Sequence, residues 1–173
     1  MDDVITDKGR ETSDMRYIFR EEGLGIAQSA GETLLTDGEN VYRLTCNPRE
    51  PDLNITTGDG REITIHNAFT VDALIDYAVN RKPMRMITGN EYDIGTVCRL
   101  MLLAVSTGRD YMDIGYLEGC RFLDILRENG AVSEETAFDL AASGLSNHRM
   151  MNTFMHSGKV RRTEKDLYYL AVS

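Results

Sequence analysis

The sequence predicts an α+β fold, with an N-terminal half that is rich in β-hairpins and holds one or two helices, and a C-terminal third of short helices and a hairpin. Three observations predict this class. Alternating polar and apolar residues before residue 68 are separated by glycine-containing turns, later segments carry apolar residues at helical spacing, and the last thirty residues are basic. With 173 residues, the chain is long enough for one mid-sized domain or two small ones.

We predict three parts along the chain. Residues 1–30 are polar and rich in charge and glycine, with one apolar cluster at residues 17–19, and predict a flexible polar arm that becomes ordered on a partner. Residues 31–108 predict an α+β domain that ends in a connector helix. Residues 109–173 predict a separate C-terminal domain, with the boundary near Gly108.

The second part begins with four short runs typical of strands. Asp37-Gly38 and Gly58-Asp59-Gly60 lie between them and are hairpin signals. The predicted strands are residues 33–35, 41–46, 53–57 and 62–67.

Two helices complete this part. Thr70 is predicted to cap the first, and Pro83 breaks it. The second, over residues 93–107, has an apolar stripe that Leu100 and Leu103 widen beyond what a surface helix needs. Such a helix is buried on two sides, so either it packs between the two domains of its own chain or it meets its copy in a dimer. We expect a homodimer.

The third part alternates helix signals with turn signals. Ser133 is an N-cap followed by two carboxylates, Gly144-Leu145-Ser146 is a turn, and Gly158 ends the last helix. The predicted segments are helices over residues 112–128, 133–142 and 146–156, and a hairpin over residues 159–172.

This order of elements resembles the winged helix-turn-helix family, and the resemblance covers the C-terminal third alone. It implies that residues 146–156 form a recognition helix in the major groove of double-stranded DNA, and that residues 159–172 form a wing on the phosphates. One departure is that residues 140–144 are about one residue shorter than the family's usual segment before the turn glycine.

The residue types fit this chemistry. Short polar or cationic side chains near the start of a recognition helix can reach base edges, and cations beside the groove attract phosphates. The predicted base-reading residues are Asn147, His148, Arg149, Asn152 and Thr153. The predicted phosphate-binding residues are Lys159, Arg161, Arg162 and Lys165.

Charge is distributed unevenly. The chain has a formal net charge of −9, yet residues 144–173 hold five cationic and two acidic side chains, a local charge of +3 that leaves −12 for the remainder. An acidic body with one basic end is typical of a protein that binds an anion through a single face. We therefore predict a sequence-specific DNA-binding protein, a transcriptional regulator. The alternative is an acidic protein-interaction module, such as a phage-type inhibitor or DNA mimic, that uses the winged-helix fold to bind a protein partner, with the acidic N-terminal half as a possible contact surface.

The sequence gives little support to other classes of protein, such as enzymes, metal-binding proteins and membrane proteins. His66, His148 and His156 form no catalytic or metal-binding pattern, and Cys46, Cys98 and Cys120 are too scattered for a zinc site. We predict no enzymatic activity, no cofactor and no metal. The N-terminus has no signal peptide pattern and no apolar run is long enough to cross a membrane, which predicts a cytoplasmic protein.

Overall fold

The computed structural model describes residues 15–47, 50–140 and 148–171, and it is mixed α+β, with a seven-stranded sheet and four helices. The chain divides into two compact units. The first unit contains Met1–Met84 and Tyr92–Ile114, and the second contains Arg85–Glu91 and Gly115–Ser173. The boundary therefore lies after Ile114 and not near Gly108, because the short strand that precedes Ile114 belongs to the large sheet.

The first unit contains the seven strands of the large sheet and two helices, and two further two-residue strands each have one residue in either unit. Six strands run antiparallel in chain order, and the last strand pairs in parallel with the sixth. The strands are β1 (Arg16–Glu21), β2 (Leu24–Ser29), β3 (Glu32–Thr36), β4 (Val41–Cys46), β5 (Leu53–Thr56), β6 (Glu62–His66), the two-residue strands β7 (Met84–Arg85) and β8 (Glu91–Tyr92), and β9 (Tyr111–Asp113). The helices are α1 (Val71–Asn80) and α2 (Ile94–Ser106).

The large sheet has the order β1-β2-β3-β4-β5-β6-β9, while β7 and β8 form a ribbon of their own. The four strands predicted from alternation are confirmed as β3 to β6. In β5 and β6 every second residue is buried, including Leu53, Ile55 and Ile63, while Asn54 and Thr64 lie on the other face. This alternation is the physical reason that the sequence could place these strands.

The prediction of a flexible arm over residues 1–30 is wrong for its second half. Residues 16–29 form β1 and β2, in which Phe19 and Ile26 are buried. The charged residues that suggested an arm lie on the outer side of a short hairpin, at positions such as Arg16 and Glu21. Residues 1–14 lie outside the described part of the chain.

Both predicted helices of the first unit are present, the first with its predicted cap at Thr70 and the second with a cap at Asp93 that was not predicted. The Thr70 hydroxyl accepts a hydrogen bond from the Ala73 N–H at 3.1 Å. The Asp93 carboxylate accepts one from the Thr96 N–H at 2.7 Å, which lowers the pKa of Asp93. Such caps satisfy main-chain donors that have no partner within the helix.

The wide apolar face of α2 is covered within the single chain. Leu100 is 2% exposed, and Val97, Cys98 and Ala104 are fully buried. The width of this face therefore no longer requires a second copy of the chain. The homodimer stays a prediction that rests on the DNA-binding hypothesis alone.

The second unit contains the turn of residues 85–91, two helices and a hairpin. The helices are α3 (Ile114–Glu128) and α4 (His148–His156), and the strands are β10 (Val160–Arg162) and β11 (Tyr168–Leu170). Helix α3 begins two residues after the predicted start at residue 112, because Met112 lies in β9. The hairpin predicted over residues 159–172 is confirmed in its described part.

The helix predicted over residues 133–142 is wrong in its described part. A single 3-10 turn, Glu134–Thr136, is followed by extended chain at Phe138. The Thr136 hydroxyl accepts the N–H groups of Val132 and Ser133 at 3.0 Å, which closes the chain into one turn. Phe138 then exchanges two main-chain hydrogen bonds with Tyr168, at 2.7 and 2.8 Å. Residues 141–147, which include the predicted turn, lie outside the described residues.

Two contacts hold α3 in the second unit. A Cβ atom on Gly119 would lie 2.5 Å from the Met150 Cε atom and 2.8 Å from the Phe154 ring, so α3 and α4 approach closely there. On the neighbouring turn of α3, the buried Glu118 carboxyl accepts a hydrogen bond from the Asn90 amide at 2.8 Å. The first contact fixes the position of α4, and the second ties the turn of residues 85–91 to α3.

Candidate nucleic-acid interface

Helix α4 separates its apolar and polar residues onto two faces. Met151 and Phe154 are buried, while Asn152 and Thr153 are exposed. The spacing of three between the two buried residues brings them onto one side of an α-helix. The polar face predicted from the sequence is therefore present at Asn152 and Thr153.

The start of the predicted recognition helix is only partly described. Asn147 lies outside the described residues, and so do the side chains of His148 and Arg149, although α4 begins at His148. Their role in base reading stays a prediction.

Helix α4 ends in a turn that leads directly into the hairpin. The Gly158 N–H donates to the Met155 carbonyl at 3.1 Å, and the Lys159 N–H donates to the Phe154 carbonyl at 2.9 Å. Gly158 has φ +81°, a conformation that favours glycine because it has no Cβ. This turn fixes the direction of β10 relative to α4.

The hairpin turn is held by Thr163. Its N–H donates to the Leu167 carbonyl at 2.8 Å, and its hydroxyl accepts the N–H groups of Lys165 and Leu167 at 3.2 Å. The turn is therefore built from main-chain bonds and one hydroxyl. The side chain of Lys165 takes no part in those bonds and is exposed to solvent.

The hairpin places its two arginines on different faces. Arg161 lies directly opposite Tyr169, and Arg162 lies opposite Tyr168. Because opposite residues share a face, the buried Tyr168 marks the inner face, and Arg161 and Tyr169 are on the outer one. The Arg162 guanidinium lies 3.7 Å from the Asp166 carboxylate in the turn. Arg162 is thus partly neutralised within the hairpin.

The other cations of the hairpin are exposed and have no such partner. Among the residues that the structure describes, Lys159, Arg161 and Lys165 form no ion pair. An exposed cation without a neighbouring carboxylate keeps its full attraction for an external anion. These three side chains are therefore available to bind an external anion.

A groove of about 490 Å³ runs between the end of α4 and the hairpin. It combines apolar and cationic side chains and is lined by residues of β10, which among the described residues pairs with β11 alone. The groove is lined by Met155, Gly158, Val160, Arg161, Arg162 and Tyr169.

Sequence reasoning missed Tyr169 as a site residue. The signal that could have found it is the register of the hairpin, since a turn centred on residues 163–167 sets Tyr169 opposite Arg161. The predicted strand boundaries alone left open which of Tyr168 and Tyr169 faces solvent.

A second polar cluster lies on the sheet of the first unit. The His66 Nδ1 atom is 2.7 Å from the Asp52 carboxylate, and the His66 ring stacks on Tyr111 at 6.0 Å between ring centres. On the same face, Thr64 donates a hydrogen bond to Asn54 at 2.6 Å. His66 therefore belongs to a polar sheet face, which it shares with Thr64.

The described residues form neither a metal-binding site nor a site with a reactive thiol. No group of three or more histidine, cysteine, aspartate or glutamate side chains there is placed to hold a metal ion. The three cysteines are free thiols, and burial raises the pKa of Cys98 to about 12. A thiol with so high a pKa is protonated at neutral pH and is a poor nucleophile.

No protein-family model, curated protein or solved structure matches this chain. In the described ranges, no helix combines the length and apolar character that crossing a membrane requires.

Proposed function

We propose that the second unit is a variant winged helix-turn-helix, with the 3-10 turn Glu134–Thr136 where the family has its second helix, and that the chain binds double-stranded DNA as a sequence-specific transcriptional regulator. In this proposal α4 is the recognition helix and the β10–β11 hairpin is the wing. The observation that carries it is an exposed polar face on α4 followed directly by a hairpin with three exposed cations that form no ion pair among the described residues. The two elements are joined by the tight turn at Gly158, so the hairpin follows α4 directly.

Charge supports an anionic partner for this surface. The segment of residues 144–173 carries +3 while the remainder carries −12. Repulsion from the remainder would keep a nucleic acid away from most of the chain, and Lys159, Arg161 and Lys165 would attract it to one face. The geometry thus favours a single, oriented mode of DNA binding.

In this proposal, one set of residues reads the bases and another set contacts the phosphates. Asn147, His148, Arg149, Asn152 and Thr153 read base edges in the major groove. Lys159, Arg161, Arg162 and Lys165 contact phosphates. Because one short recognition helix reads few base pairs, we include a homodimer that binds two half-sites.

The test is the salt dependence of binding to a random-sequence duplex. Wild-type affinity should fall steeply with salt, so the slope of log K against log [salt] is strongly negative. Replacing Lys159 and Arg161 by alanine should make this slope less negative by about 2. The control is Lys82→Ala, which removes an exposed cation of the first unit and should leave the slope unchanged. A slope that the double variant does not change, or that Lys82→Ala changes equally, would exclude the wing as the phosphate-binding surface.

The alternative function is an acidic protein-interaction module, which the charge of −12 outside residues 144–173 favours. In that case the carboxylates of the first unit would imitate a phosphate backbone and bind a basic protein surface. Absence of duplex binding at low salt, together with saturable binding to one purified basic protein, would support this alternative against DNA binding.

A further inference from the structure

We propose that the groove between the end of α4 and the hairpin is a seat for one phosphodiester group of duplex DNA. The phosphate would be held by the Arg161 guanidinium, the Tyr169 hydroxyl and the main-chain N–H of Arg162. This inference rests on the proposed function and deepens it, because it assigns a specific anion site and adds Tyr169, a neutral donor, to the contact surface.

The side-chain part of the seat follows from the register of the hairpin. Arg161 and Tyr169 are directly opposite each other on the outer face, and both line the groove. Opposite residues in an antiparallel pair have Cβ atoms roughly 4.5–5.5 Å apart, so a guanidinium and a phenol can reach the same phosphate. Arg161 forms no ion pair among the described residues, and its guanidinium is therefore available to an external anion.

The main-chain donor follows from the hydrogen-bond pattern of the same strands. Tyr168 turns both its N–H and its carbonyl toward Phe138, away from β10. In an antiparallel ladder the residue opposite, Arg162, then turns its own N–H and carbonyl toward the open edge of β10. Arg162 also lines the groove, so we assign its N–H as the third donor. Phosphate oxygens commonly accept hydrogen bonds from main-chain N–H groups.

The remaining lining residues suit a phosphodiester of a polymer. Met155 and the buried Val160 form an apolar part of the wall, which lowers the local dielectric and strengthens charge-assisted hydrogen bonds. Gly158 has no side chain to block the approach of a backbone.

The test compares a neutral and a charged member of the seat in the full chain. Fluorescence anisotropy with a labelled random-sequence duplex gives the affinity at several salt concentrations. Tyr169→Phe should weaken binding about tenfold at every salt concentration without changing the slope, because a hydroxyl releases no counterion. Arg161→Ala should weaken binding and also make the slope of log K against log [salt] less negative by about 1. The matched control is Tyr168→Phe, which removes the same hydroxyl from the buried face and should leave the affinity unchanged.

Several outcomes would overturn the seat, and they differ from failure of the proposed function. Unchanged affinity for Tyr169→Phe, with a less negative slope for Arg161→Ala, would remove the seat and leave DNA binding in place. Strong competition by inorganic phosphate, exchanged for chloride at equal ionic strength, would assign the groove to a free anion and not to duplex DNA. Absence of salt-dependent duplex binding by the wild-type chain would overturn the proposed function itself, and the seat with it.

Discussion

The amide of Asn90 donates a hydrogen bond to the carboxyl group of Glu118 at 2.8 Å, and both side chains are almost completely buried. Asn90 comes from the turn between β7 and β8, and Glu118 from α3, so 28 residues of chain separate the two partners. Buried polar groups cost free energy unless they are hydrogen-bonded. The pair therefore makes the turn of residues 85–91 a structural part of the second unit.

Asn90→Ala should destabilise the chain by about 1–3 kcal/mol, because it removes a donor from a carboxyl group that water does not reach. Urea unfolding of the full chain measures this loss. Asn80→Ala is the control, since the Asn80 amide also donates to a carboxylate, that of Asp76, but at an exposed position. Equal stability of the two variants would mean that the buried bond contributes nothing beyond a surface bond.

Gly119→Ala should destabilise the chain by about 1–3 kcal/mol, because the added methyl group would overlap the Met150 and Phe154 side chains. A double-mutant cycle with Met150→Ala checks the cause. The cost of Gly119→Ala should be smaller when Met150 is already truncated, since one of the two close contacts is then gone. Fully additive losses would show that α3 and α4 do not approach at this glycine.

Asp93→Asn should lower stability at neutral pH by about 0.5–1 kcal/mol, since the Asp93 carboxylate caps α2 and carries a charge at the positive end of its dipole. The hydrogen bonds from Thr96 hold the pKa of Asp93 below its usual value of 3.8. A lowered pKa in the folded state gives stability that is present above the unfolded value and is lost as the pH falls through the folded value. The difference between wild type and variant should therefore shrink below pH 3.8 in acid titrations followed by circular dichroism.

Cys98 should resist thiol reagents in the folded chain, because burial raises its pKa to about 12 and excludes the reagent. Labelling at pH 8 should therefore proceed through the half-buried Cys46 and Cys120 in the native state. Cys98→Ser should leave the native labelling kinetics unchanged and remove one thiol only after unfolding in denaturant. Slower or smaller labelling of the native variant would show that Cys98 is accessible.

The sequence was informative where one physical rule decides the local structure. Alternation in β3 to β6 follows from one buried face, and the cap at Thr70 follows from the donors at a helix start. The apolar spacing of α4 and the glycine at its end were likewise readable, because helix period and a left-handed φ each demand particular residue types.

Prediction failed where contacts distant in sequence decide the structure. Residues 16–29 are strands because neighbouring strands pair with them and bury Phe19 and Ile26. Phe138 is extended because Tyr168, thirty residues later, bonds to its main chain. Secondary-structure propensity does not predict such pairing, since tertiary contacts override local preferences. The same limit applies to Tyr169, whose place in the groove depends on the register with Arg161.

The most direct test of a recognition helix in the major groove is the affinity of Arg149→Ala for two duplexes. One duplex comes from binding-site selection with the wild-type chain, and the other has a random sequence. Loss of one base contact predicts a cost of about 1–3 kcal/mol on the selected duplex and little change on the random one. Equal losses on both duplexes, or a wild-type chain that binds both with equal affinity, would contradict base reading by α4.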